Sequence, residues 1–110
     1  MKILHWQTMS YAEHQAFGGF YDAADDLIDK LIEAIQGKYN TRIMIGGIDS
    51  IQVSDYSNLK INIFLMDMDT FFSQEIWACG LNKMADSEIA NIIDEIKAEL
   101  DKLRFLLTLK

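Results

Sequence analysis

The feature that most constrains this chain is the scarcity of helix breakers. No proline occurs in its 110 residues, and the six glycines are confined to Gly18, Gly19, Gly37, Gly46, Gly47 and Gly80. Long stretches are therefore free of the two residues that interrupt a helix, which favours an all-α fold over a turn-rich β fold. Within those stretches the apolar residues keep helical time. Phe17, Phe20, Ala24, Leu27, Leu31 and Ile35 fall on one broad face at about 100° per residue, predicting a helix over residues 12–36 with Gly37 as its C-terminal stop. Ile89, Ile92, Ile93, Ile96, Leu100, Leu103 and Leu107 repeat the pattern behind a cap at Asp86 or Ser87, predicting a second long helix.

The middle of the chain reads two ways. Residues 59–64 alternate like a strand, while Asn58, Asn62, Asp69 and Ser73 share one helical stripe through a longer window. The absence of a breaker before Gly80 favours a buried helix over about 57–78. The connection over 38–56 carries Gly46-Gly47 and two apolar fragments, residues 43–45 and 48–53. A connection of that length either holds a short element or crosses from one end of a bundle to the other. The length suits a single domain over 1–110, and 50% hydrophobic residues suffice for a real core.

Seventeen acidic residues against ten basic ones give a net charge of −7, a balance that repels phosphate backbones. A nucleic-acid partner is therefore not expected, and Lys102, Arg104 and Lys110 are too few to form a basic tail. No span has the apolar length needed to cross a bilayer. The lone Cys79 has no internal disulfide partner, and the apolar run in Met1–Trp6 is too short for a signal peptide, so the expected compartment is the reducing cytoplasm.

Asp22, Asp26, Asp29 and Glu33, spaced by four, three and four, line the helix face opposite the apolar one. The ordinary reading of such a stripe is a solvated face. The only two histidines, His5 and His14, stand just before or at the start of the same helix, and imidazole with carboxylate is a donor set that suits iron, manganese or zinc. No phosphate loop, CxxC, HExxH or nucleophile elbow is present.

The run His5-Trp6-Gln7-Thr8, then His14, Gly19-Phe20, Asp29 and Glu33, resembles the signature of the Dps branch of the ferritin-like superfamily, over about a third of the chain. In that family a His-Trp pair ends the first helix, and a second His is followed fifteen and nineteen positions later by the Asp and Glu of a ferroxidase site. His14, Asp29 and Glu33 keep that spacing. Trp6-Gln7-Thr8, Tyr21-Asp22 and the stretch Gln36-Gly37-Lys38-Tyr39 also resemble uncharacterised phage-encoded ferritin-like proteins.

The resemblance implies a ferritin-like helical bundle, iron as the bound metal, and oxidation of ferrous iron if the site is active. An inert structural or assembly module of the same fold is the alternative. The resemblance also implies sites shared across a two-fold interface, and helix geometry agrees that one chain cannot make them. Fifteen residues of one helix put His14 and Asp29 about 22 Å apart, so the ligands must come from different copies of a homo-oligomer.

Two departures stand out. Gly18 occupies the position where the family has a carboxylate, and Asp22, one turn further on, substitutes for it only if the helix is displaced. Only four residues precede His5, so the first helix is nearly absent, leaving three long helices and an open groove. Neighbouring copies fill that groove, or the natural chain begins further upstream. Trp6 reads either as an electron donor beside the metal, as the resemblance implies, or as a packing residue at the groove. Met66, Met68, Phe71, Phe72 and Trp77 read as core or interface.

Overall fold

The computed structural model describes residues 1–44, 46, 47, 50–58 and 60–109, with the side chain of Asn58 also left aside. Ile45, Ile48, Asp49, Leu59 and Lys110 therefore lie outside the described residues. They include parts of the two apolar fragments, the start of the alternating segment and the last basic residue.

Among the described residues four α-helices follow one another: α1 (Lys2–Gln7), α2 (Tyr11–Tyr39), α3 (Ile61–Ser73) and α4 (Ser87–Leu107), with 3-10 turns at Tyr56–Asn58 and Glu75–Cys79. Among the described residues there is no strand, and no helix is long and apolar enough to cross a membrane. The molecule measures 44 × 32 × 21 Å. The long dimension matches 29 helical residues at about 1.5 Å each, and the short one is about two helix diameters.

α2 begins where Ser10 accepts a hydrogen bond from the Glu13 amide, the Ser-x-x-Glu arrangement of a capping box. Glu13 does not complete the box. Its carboxylate accepts instead from the Thr8 and Tyr56 hydroxyls, which ties the end of the long connection to the α1–α2 turn. The helix runs through Gly37 and stops three residues later. Asn40 adopts the left-handed conformation (φ 48°, ψ 52°) and its amide reaches the Gln36 carbonyl. Gly37 has open space around it, so nothing forces a break there, and a solvent-exposed glycine inside a helix costs only about 1 kcal/mol.

Two clusters share the core. At one end Leu4, Phe17, Phe20 and Ala24 pack with Leu65, Leu100 and Leu103. At the other, Leu31 meets Phe72, Ile76 and the isoleucines 89, 92, 93 and 96. The predicted apolar faces of α2 and α4 are thus the ones that pack. The topology follows from this: α2 leaves the first end and finishes at the second, α3 again runs from first to second, and α4 returns. The connection between the parallel α2 and α3 therefore crosses the length of the bundle. Its exposed Ile43, Met44, Ile51 and Val53 contribute little to the core.

The middle segment is helical, but shorter than predicted. α3 ends at Ser73, Gln74 leaves the helical region (φ −131°), and a 3-10 turn carries Ile76 back into the core. Of the residues read as core or interface, Phe72 is buried, Met68 and Trp77 pack against the clusters, and Phe71 and Met66 stand exposed.

Candidate functional site

α1 lies back on the start of α2, and the two histidines form the contact. The His5 Nδ1 donates to the His14 carbonyl at 2.6 Å, and the His14 Nδ1 donates to the His5 carbonyl at 2.7 Å. A carbonyl oxygen can only accept, so both rings must carry a proton on Nδ1. The rings stack with centroids 3.7 Å apart and planes 20° from parallel, and Tyr21 meets the His5 ring edge-on. Neither Nε2 has a hydrogen-bond partner among the described residues, and no buried side-chain nitrogen or oxygen lacks one. Both Nε2 atoms therefore reach solvent, and when the rings are neutral each carries the free lone pair.

Gly18 makes this arrangement fit. A Cβ at that position would lie 2.8 Å from the His5 Cε1 and 3.0 Å from its Nδ1. The position where the Dps-like pattern carries a carboxylate is here filled by the imidazole of His5. Asp22 is exposed on the next turn, and it does not join the histidines in a ligand cluster.

Asp26, Asp29 and Glu33 are likewise exposed along α2, which matches the solvated-face reading of the stripe. Because α2 is one unbroken helix, His14 and Asp29 are held about 22 Å apart. Among the described residues no three histidine, cysteine, aspartate or glutamate side chains gather as an ion site. The structure thus brings His5 and His14 together and leaves Asp22, Asp29 and Glu33 apart from them. Trp6 is 69% exposed, so it does not pack in the groove as one of its two readings required.

Sequence reasoning missed the polar centre at the opposite end. Asp86, expected as a helix cap, makes no side-chain cap to α4. Its carboxylate accepts from the Asn82 amide, the Tyr39 hydroxyl and the Lys38 ammonium. Lys38 also pairs with Glu88 at 2.8 Å and donates to the Ala85 carbonyl. Asp86 has no solvent-exposed surface. The Asn82 amide, then Tyr39 and Lys38, hold its carboxyl at about 2, below the ordinary 3.8. Glu88 and Asp86 raise the Lys38 ammonium above its usual range, and Asp86 raises the Tyr39 phenol. The available signal was the pairing of Lys38-Tyr39 at the end of one helix with Asp86 and Glu88 at the start of another, which no local period reveals.

Fold and site together define an all-α protein with a histidine-clasped N-terminal turn. The chain belongs to DUF5856, a family of unknown function, whose family model matches residues 5–107. No curated protein and no solved structure matches it.

Proposed function

We propose that this chain is a ferritin-like subunit that binds a divalent ion, iron first among the candidates, at sites completed between copies. The observation that carries the reading is the state of the histidines. Both Nδ1 protons are committed to backbone carbonyls and both Nε2 atoms are open, the orientation in which protein imidazoles ordinarily serve as metal ligands. The parallel α2 and α3 joined by one long crossover agree with the connectivity of ferritin-like bundles.

In this reading Asp29 and Glu33, one turn apart on the exposed face of α2, supply carboxylates to histidines of another copy. Asp22, two turns from His14 on the same helix, is about 12 Å along the axis from it and donates to an ion at His14 only if the helix is displaced. Imidazole and carboxylate suit ferrous iron, manganese or zinc. Bound iron would supply the electron passed to oxygen or peroxide, and the protein's share is to hold the ion and orient its ligands. In their present rotamers the rings do not serve the same ion. Lone pairs lie in the ring planes, and near-parallel planes 3.7 Å apart do not meet at a point about 2.1 Å from both nitrogens. Each ring donates to its own ion, or one leaves its carbonyl to share.

The test is metal analysis of protein purified without chelator, together with the rate of ferrous iron loss. At least one ion per dimer is expected, with both ion content and rate falling in His14→Ala and Glu33→Ala. An unchanged rate in the double variant removes the proposal. A second reading is a metal-free assembly module, favoured by the reciprocal stack, which gives His5, His14 and Gly18 a packing role without an ion. An oligomer that survives chelation and holds no ion would support it.

A further inference from the structure

The two imidazoles of the clasp are not equally held. On α2, His14, Gly18 and Tyr21 stand at i, i+4 and i+7, in line on one stripe of the helix. The His5 ring enters that stripe as a knob. His14 stacks on it with centroids 3.7 Å apart, and Tyr21 meets it edge-on at 5.3 Å with planes at 86°. The bare backbone of Gly18 forms the floor, where a Cβ would lie 2.8, 3.0 and 3.8 Å from three atoms of the ring. Tyr21 is half-buried, and the Lys2 ammonium lies 5.3 Å from its ring centroid, a second tie between α1 and the same residue of α2.

His14 has no such enclosure. Its one further ring contact among the described residues is with Tyr11, at 6.4 Å, and Tyr11 is 77% exposed. The two hydrogen bonds of the clasp are alike in length, 2.6 and 2.7 Å, but breaking them is not alike. To leave the His14 carbonyl, the His5 ring must turn against Gly18, Tyr21 and His14 at once. To leave the His5 carbonyl, His14 breaks one hydrogen bond and slides off one stacked face. The carbonyl it releases belongs to the last four residues of α1, where no helical partner is due and water can take its place.

We propose that Tyr21 is a positioning residue: with Gly18 it fixes the His5 imidazole, so that His5 is the standing ligand of the site and His14 is the ring that turns from its carbonyl to share the ion. Of the two arrangements open to near-parallel rings, this selects a single ion per clasp. The shared ion rests on the metal reading above, whereas the difference in mobility between the rings does not.

The test is side-chain NMR of the full chain at a pH where both rings are neutral, first without metal and then with zinc as the probe. Without metal, the His5 Nδ1 proton exchanges with water at least about tenfold more slowly than that of His14. Tyr21→Ala brings the two rates together, while Tyr21→Phe, which keeps the ring edge, leaves them apart. Tyr21 belongs to neither core cluster, so both variants keep the helical circular dichroism of the parent, and the wild-type comparison needs no variant at all. Zinc then saturates at a single ion per clasp, shifts both Nε2 signals and releases the His14 Nδ1 proton to rapid exchange while the His5 proton stays protected. Tyr21→Ala weakens zinc binding about tenfold and Tyr21→Phe does not. Equal exchange at the two rings, or slower exchange at His14, overturns the positioning role. Two protected protons with a separate ion at each ring overturn the shared ion. Zinc that shifts neither Nε2, with the His5 proton still the slower, defeats the metal reading and the shared ion with it, and upholds Tyr21 as the residue that fixes His5.

Discussion

The two ends of the α2–α4 pair solve the same problem in different ways. At the far end, Lys38, Tyr39, Asn82, Asp86 and Glu88 satisfy one another, and the Asp86 carboxylate has a donor from each direction. At the near end, His5 and His14 use one nitrogen each to close α1 onto α2 and leave the other to solvent. A polar group whose bonding capacity is filled acts as a latch. One that is half filled keeps a free nitrogen, so under the proposed function the ligand belongs at the histidine end, while the aspartate end serves as a latch.

The largest effect that probes this contrast comes from beneath the histidines. Phe17→Ala removes a side chain with no exposed surface from the cluster that supports α1, and a loss of about 3–5 kcal/mol is expected in denaturant unfolding. Gly18→Ala is a finer probe. Its methyl group gains about 1 kcal/mol of helix propensity but intrudes on the pinned His5 ring, an overpacking that costs about 1–3 kcal/mol. A net destabilisation near 1 kcal/mol is expected, with the His5 ring signals shifted in the NMR spectrum. If the variant is more stable and the rings are undisturbed, the clasp is not as tight as its geometry indicates.

At the other end the readout is pH. The native Asp86 carboxyl titrates near 2 and the unfolded one near 3.8, so the native state binds fewer protons between these values. The stabilisation is complete above about pH 5 and is lost as the pH falls through 4 towards 2. Asp86→Asn should lower the melting temperature at neutral pH and flatten its acid limb, while His14→Ala should leave that limb as it is. The smallest effect belongs to the acidic stripe. Asp26→Asn, on a solvated face, should change stability by less than about 0.5 kcal/mol.

How far each part was legible in the sequence follows from the range of the forces that set it. α4 was read closely because Ile89 to Leu107 carry a period that only one face can satisfy. α2 was read in its body but not at its end, since an exposed glycine is a weak stop and Asn40 is what adopts the left-handed turn. The break after Ser73 has no proline or glycine to mark it. It arises when Ile76 turns into the isoleucine cluster, a tertiary demand that local pattern does not contain. The candidate site divides in the same way. The histidines and the separation of His14 from Asp29 were visible, because a rigid helix fixes distance along itself. The reciprocal bonds to each other's carbonyls, and the room that Gly18 makes for His5, depend on how α1 folds back, which spacing does not encode.

The central claim is that both imidazoles are fixed with the proton on Nδ1 and a free Nε2 that takes a metal. Long-range nitrogen-proton NMR of the side chains, at a pH where the rings are neutral and with zinc then added, measures this directly. Two Nδ1-protonated rings whose Nε2 signals shift as zinc binds are the expected result. Rings protonated on Nε2, or Nε2 signals indifferent to the ion, would contradict it.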